Sequence, residues 1–437
     1  MKNNLQKAIL SLVLLLGIIA YAPVTAKAAV LTTGMCGPGA AYSFDEATGT
    51  LTISGSGSMT DYGPNNNKSP FTGSSEIKAV VIADGITTVG EWAFYDCFGL
   101  KSVSLGKDVK KVSDSAFRGC IEVGSLTMQE GLTTIGYSAF AHCMALEQIT
   151  LPQSVTYIGE RAFDNTGYYR NKSNWENDVL YLDGFLLTGF YNGAYFDKKN
   201  KGSKPYWGDG YTQLAPYTVL VSGHLDVKPG TKMIVDKAFA YTNLKGITLP
   251  QSVVTIGNSA FAETKIKSIE LPKGITKIEN YTFNYCTVLA SITIPDSVTE
   301  IGEKAFYGCT GLASVTIGNK VSFIDDSAFK GSGLKKVTIP KNVKGIGNEA
   351  FANCVSLKSL TIKKGVSSFG DKAFYGCTKL KKVTIPKSVK RIGSKAFGYK
   401  NGNGKAGKVS GFKIIGYKKS TAQKYAKKSK IKFKLVK

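Results

Sequence analysis

The sequence predicts an α/β-type repeat solenoid of short parallel strands, and three observations carry the prediction. A unit of the form Ser297-Val-Thr-Glu-Ile-Gly-Glu-Lys-Ala-Phe-Tyr-Gly-Cys309 returns twelve times, centred on Phe94, Phe117, Phe140, Phe163, Phe239, Phe261, Phe283, Phe306, Phe329, Phe351, Phe374 and Phe397. Ten of the eleven spacings between these residues are 22 or 23, and the other is 76. Between successive copies lies a second apolar pattern, seen as Leu289/Ile292/Ile294, Leu312/Val315/Ile317, Leu334/Val337/Ile339 and Leu380/Val383/Ile385. A fixed period in this range marks stacked units, none of which can bury its apolar side alone.

Each part of the unit has a physical reading. The last two apolar residues of the second pattern alternate, as in a short strand with one buried face. Pro often follows, at Pro152, Pro250, Pro272, Pro295, Pro340 and Pro386. Proline donates no ladder bond and holds its predecessor extended, so it ends the strand. The chain then turns back through Val-x-x-Ile-Gly, with residues such as Ile135, Ile158 and Ile301 pointing inward. Gly follows the inward residue in eight of twelve copies, which marks a backbone position that disfavours a Cβ; Val235 departs from the rule. Three residues after the Phe stands a small side chain, Cys in seven copies, with Thr242, Thr264 and Ser332 where the period drops to 22.

This pattern, strand-Pro-x-Ser-Val-x-x-Ile-Gly-x-x-Ala-Phe-x-x-Cys over roughly residues 77–163 and 222–397, resembles the BspA-like leucine-rich repeat family of bacterial surface proteins. The resemblance implies a leucine-rich repeat stack on cells or released from them, used for adhesion or host contact. It implies no catalytic residues, because the family has no shared active site to carry over.

Taken in order, residues 1–28 read as a secretory signal, with Lys2 and Lys7 before the apolar run Ala8 to Ala20 and small residues at Ala26-Lys-Ala28. No other segment is long and apolar enough to span a bilayer. Residues 29–76 are expected to form a β-hairpin cap around Glu46-Ala-Thr-Gly49, then a loop over 60–76. A first repeat block covers 77–163. The long spacing is an excursion, 164–224, with thirteen aromatic residues and a hairpin signal at Val179 to Thr188 turning on Asp183-Gly184. The second block covers 225–400. Residues 401–437 form a basic C-terminal cap, read as strand, Ser-capped helix and strand.

Formal net charge is +25, and removing residues 1–28 takes away three Lys and no acid, leaving +22. From Thr378 to Lys437 there are twenty Lys or Arg and no Asp or Glu. Such an end favours polyanions at low salt, here an anionic wall polymer, anionic lipid or sulfated glycan, unless it is only a solvated face. Nucleic acid is not the expected partner, since no nucleic-acid fold motif is visible. Seven of the eight Cys occupy one repeat position and should form ladders of buried free thiols rather than disulfides. No Cys-x-x-Cys or Cys/His spacing suggests a metal, and no cofactor is implied.

The chain has only two His, His142 and His224. No His-Glu-x-x-His occurs, nothing nominates a Ser partner for His224, and Asp325-Asp326 falls in the repeat turn rather than in a glycosidase pair. The reading is therefore a non-catalytic, monomeric binding protein for an extracellular protein or glycan. A structural envelope protein held to anionic wall polymer is the alternative, and an exported hydrolase a distant one. The candidate ligand-binding residues are the excursion aromatics Trp175, Tyr181, Tyr191, Tyr195, Tyr206, Trp207 and Tyr211, with the competing reading that several pack as a satellite core. The candidate polyanion-binding residues are Lys418, Lys419, Lys424, Lys427, Lys428 and Lys430. Lys335, Lys336, Lys358, Lys381 and Lys382 make one strand face basic as well.

Overall fold

The computed structural model describes residues 32–189, 221–402 and 405–436. The export segment read at 1–28 lies outside them.

Each repeat makes one circuit with three hydrogen-bonded sides. The first is the strand of the second apolar pattern: Ala79–Ile82, Ser102–Leu105 and Ser125–Thr127 pair in parallel. After the interruption Ser291–Thr293, Ser314–Thr316, Lys336–Ile339 and Ser359–Ile362 do the same. The second side is a two-residue strand where the sequence suggested only a turn. Lys277–Ile278, Glu300–Ile301, Phe323–Ile324, Gly345–Ile346, Ser368–Phe369 and Arg391–Ile392 form a six-stranded parallel sheet. The third side is the Ala-Phe turn itself. The Phe94 N–H donates to the Ala116 carbonyl at 2.7 Å, and Phe306 does so to Ala328 at 2.7 Å.

Inside the circuit all twelve Phe are buried. They stack ring on ring in two runs, with centroids 5.0–5.7 Å apart from Phe94 to Phe163 and 4.9–5.7 Å apart from Phe239 to Phe397. Burying one such ring stabilises by roughly 1.5–3 kcal/mol, so the column is a main term of the core.

The fold is a β-solenoid with little helix, which corrects the α/β class expected from the sequence. Among the described residues the α-helices are Gly167–Arg170 and Thr421–Lys428, both outside the repeat units. The reason lies beside the Phe. The residue two before it has a left-handed backbone in every copy, from Ser138 at φ +51° to Arg161 at φ +61°. So has the residue two after it in eleven of the copies, as at Asp96, His142 and Tyr285. Two left-handed residues in five prevent a right-handed helix from winding there.

The Gly after the inward Ile has a different cause. Its backbone is not left-handed. A Cβ on Gly136 would lie 2.7 Å from the Asp114 nitrogen, and one on Gly393 would lie 2.4 Å from the Gly370 carbonyl carbon. Neighbouring rungs approach too closely for a side chain.

Residues Ala40–Asp45 and Thr50–Gly55 form the N-terminal hairpin, edged by Thr33–Met35. Thr50–Gly55 pairs in parallel with Ala79–Ile82, and Gly57–Ser58 pairs with Ile86–Val89. The loop expected over 60–76 is in part a degenerate rung. Phe71 is fully buried and stacks on Phe94 at 5.4 Å, and Tyr42 meets Phe71 edge-on at 4.9 Å and 89°.

At the other end Lys382–Thr384, Lys413–Gly416 and Lys432–Leu435 form a parallel sheet. The helix Thr421–Lys428 begins at Ser420, whose side chain accepts the Gln423 N–H. Its Tyr425 stands edge-on to Phe397 at 6.3 Å and 86°. The Tyr425 hydroxyl donates to the Phe397 carbonyl at 3.1 Å and accepts its N–H at 2.9 Å.

Candidate binding surfaces

The excursion is built on the hairpin Val179–Leu182 and Phe185–Gly189. Asp183 and Gly184 both have positive φ, +45° and +85°, the geometry of a tight hairpin turn of the primed kind. Its second strand then pairs in parallel with Met233–Ile234. The Lys232 N–H donates to Gly184 and the Val235 N–H to Leu186, as Val254 and Gly257 donate to Lys232 and Ile234 one rung later. The hairpin thus supplies the short strand of a rung.

Beside it the described residues leave a notch of about 150 Å³, lined in part by Glu160, Asp164, Thr188 and Lys237. Its charged groups are matched to one another, two of the contacts crossing the interruption. Tyr157 Oη donates to Asp236 Oδ2 at 2.8 Å, Lys237 Nζ meets Glu160 Oε2 at 2.8 Å, and Arg161 Nε meets Asp164 Oδ2 at 2.9 Å. Burial and the Asp236 carboxylate push the Tyr157 hydroxyl pKa well above its ordinary value. Asp236 also accepts the Asn258 backbone N–H at 2.6 Å. Sequence reasoning missed this constellation because Tyr157 and Asp236 lie 79 residues apart and its members fall at the variable positions of the repeat.

Of the aromatic candidates, Trp175 and Tyr181 are described, and both are half-buried. Trp175 Nε1 donates to the Tyr169 carbonyl at 2.7 Å, and the two rings meet edge-on at 5.1 Å. Tyr181 packs against the core, its hydroxyl accepts the Lys228 N–H at 3.3 Å, and burial raises its pKa. These two rings pack within the excursion rather than forming a shared open platform. Tyr191, Tyr195, Tyr206, Trp207 and Tyr211 lie outside the described residues.

His224 is exposed, with Nε2 2.8 Å from Thr248 Oγ1 and 3.3 Å from an Asp226 oxygen. His142 Nδ1 lies 3.0 Å from Asn165 Nδ2 on the turn edge. Asp326 occupies the turn as part of a ladder: its carboxylate accepts the Asn348 N–H at 2.6 Å, Asn348 accepts from Asp371, and Asp371 accepts from Ser394. That duty explains why Asp or Asn recurs in the slot.

The basic candidates Lys418, Lys419, Lys424, Lys427, Lys428 and Lys430 are all exposed on or beside the helix Thr421–Lys428. Lys427 and Lys428 sit in its last turn, where positive charge suits the helix dipole. A second basic surface lies on the strand side. Lys335, Lys336, Lys358, Lys381, Lys382, Lys432 and Lys434 are exposed there, and Lys413 is half-exposed.

These features define a parallel β-solenoid repeat protein whose interior is filled. The model of the BspA type leucine-rich repeat region matches in six copies, over residues 66–174, 232–358 and 278–403, and the chain belongs to that family. The region between 175 and 231, which holds the excursion, is outside every match. No curated protein matches. Among solved structures, a leucine-rich repeat protein from Bacteroides ovatus is 25% identical and covers 91% of this chain and 98% of its own, with a TM-score of 0.45. One from Eubacterium ventriosum is 24% identical, covers 84% and 94%, and has a TM-score of 0.35. A leucine-rich cell surface protein from Faecalibacterium prausnitzii is 21% identical, covers 82% and 93%, and has a TM-score of 0.29. No helix among the described residues is long and apolar enough to cross a membrane.

Proposed function

We propose that the protein is a non-catalytic leucine-rich repeat binding protein, exported to the cell surface or beyond it, that contacts an extracellular protein or glycan. The observation that carries this reading is the state of the interior. The rungs are packed with Phe, Leu, Ile and Val, and the notch at the interruption holds about 150 Å³ with its charges matched to one another. Small-molecule sites commonly occupy roughly 300–1,000 Å³ and converge unmatched polar groups. Recognition therefore falls to the long outer sides and to the excursion. The test is binding of the exported chain to a panel of glycans and matrix proteins at low and high salt. Salt-resistant binding to one ligand, weakened by Trp207→Ala, supports the reading. Turnover of a glycan or peptide by the wild type, lost in His224→Ala, sinks it.

A second reading is favoured by one specific observation. The segment from Thr378 to Lys437 carries twenty basic residues and no acidic one, and among the described residues none of those cations forms an ion pair. On that reading the basic end holds the protein to an anionic polymer of the envelope. Attachment released by salt supports it, and attachment indifferent to salt overturns it.

A further inference from the structure

We infer that the polyanion site is the strand face of the last rungs rather than the C-terminal helix, and that it takes a linear phosphodiester polymer lying lengthwise across the strands. This rests on the second reading above.

The face is an ordered array. Lys382, Lys413 and Lys432 are register partners on three consecutive parallel strands. Their backbones are therefore about 4.8 Å apart, rung to rung. Two repeats earlier Lys336 occupies the same strand position, with Ser359 as its register partner between. Beside this column run Lys335, Lys358 and Lys381, linked by the Lys358 N–H donating to the Lys335 carbonyl and the Lys413 N–H donating to that of Lys381. None of these lysines forms an ion pair among the described residues. The acidic groups of the same rungs are used elsewhere. Glu349 joins Lys330 and Lys372, and Asp326 and Asp371 hold backbone N–H groups of the next rung.

Like charges on adjacent strands repel, so the array stores a destabilisation that an anionic chain would relieve. The chemistry of the face selects among anions. Lysine ammoniums are point charges suited to single phosphate oxygens, whereas planar bidentate recognition calls for Arg. Exposed Thr338, Thr361, Thr384 and Ser359 add hydroxyl donors between them. Among the described residues no open aromatic platform accompanies the array. Phe412 is buried, Phe433 is half-buried, and Tyr417 is half-buried with the Lys387 ammonium 5.1 Å over its ring. Sugar rings and bases bind through such platforms, while a polymer of glycerol phosphate needs none.

The experiment measures binding of purified poly(glycerol phosphate) to the wild type and to two variants at low and high salt. One variant carries Lys336→Gln, Lys382→Gln and Lys413→Gln. The other carries Lys424→Gln, Lys427→Gln and Lys428→Gln. The first should lose affinity at least about tenfold and the second by much less, given a contribution per contacted lysine of the size seen near anionic surfaces. Replacement of the first three by Arg should restore most of the binding, and Lys413→Gln alone should leave the thermal midpoint unchanged or raised. A loss confined to the helix variant overturns the inference while leaving the second reading intact. Failure of the wild type to bind at low salt overturns both. Tighter binding of heparin or of an oligonucleotide than of poly(glycerol phosphate) overturns the assignment of the polymer.

Discussion

The repeat thiols show why cysteine recurs three residues after the Phe. Cys309 Sγ donates to the Phe283 carbonyl of the preceding rung at 3.0 Å, and Cys286 does so to Phe261 at 3.0 Å. Thr242 and Thr264 instead turn their hydroxyls to the Phe carbonyl of their own rung, at 2.7 and 2.8 Å. The position needs a small donor, and all eight cysteines are buried and unbridged. Cys309→Ala should cost about 1 kcal/mol in a denaturant titration, because the Phe283 carbonyl loses one of two donors. Burial pushes the Cys286 thiol up from 9.0 to about 11. A raised thiol pKa favours the protonated folded form, so its stabilisation is complete below pH 9 and lost as pH rises through about 11. The stability of the wild type should fall across that window relative to Cys286→Ser, by ~3 kcal/mol. The small-residue preference was legible in the sequence; the direction of the hydrogen bond, to the rung before, was not, because spacing alone does not say which carbonyl comes near. The left-handed residue before each Ala-Phe was equally hidden. It is never Gly in the twelve copies, although the conformation favours Gly. Lys395→Gly should therefore raise stability by up to ~1 kcal/mol, read from the denaturation midpoint.

At the scale of the element, the rung is the unit of both sequence and stability. The strand and its Pro stop were readable because apolar alternation is a local signal. The second, two-residue strand was not, since so short a run carries no period and is defined only by its neighbours above and below. The degenerate first rung escaped for a related reason: Phe71 follows Ser69-Pro70 rather than Ala, yet Cys97 Sγ still donates to the Phe71 carbonyl at 3.0 Å. Gly302→Ala tests the close approach of rungs. A Cβ there would sit 2.9 Å from the Asn280 nitrogen, so the variant should lose ~1–3 kcal/mol and open locally, visible as faster amide exchange in the two adjoining rungs. Phe329→Ala should cost more, ~3–5 kcal/mol, by leaving a ring-sized hole between Phe306 and Phe351. In a stack held by nearest-neighbour contacts, the loss should divide the thermal transition rather than shift it whole.

For the whole molecule, the sequence showed where the solenoid breaks but not how it is rejoined. The period gap at 164–224 was plain, and so was the hairpin. That the hairpin would lend a strand to the next rung depended on pairing between Leu186 and Ile234, residues with no shared motif. The candidate surfaces divide in the same way. Basic composition pointed to the C-terminal end, but the register that aligns Lys382, Lys413 and Lys432 is a property of the assembled sheet. Because these ammoniums repel one another, added salt should raise the thermal midpoint of the wild type and do so less for Lys413→Gln. The tyrosines at the two ends carry a different consequence. A column of flat rings behaves like a layered crystal, on which each exposed face nucleates the next layer. Tyr42 and Tyr425 present an edge instead of a face, and the Tyr425 hydroxyl is already engaged with Phe397. Each outer face of the stack is thereby met by an edge rather than left flat for another ring to lie on.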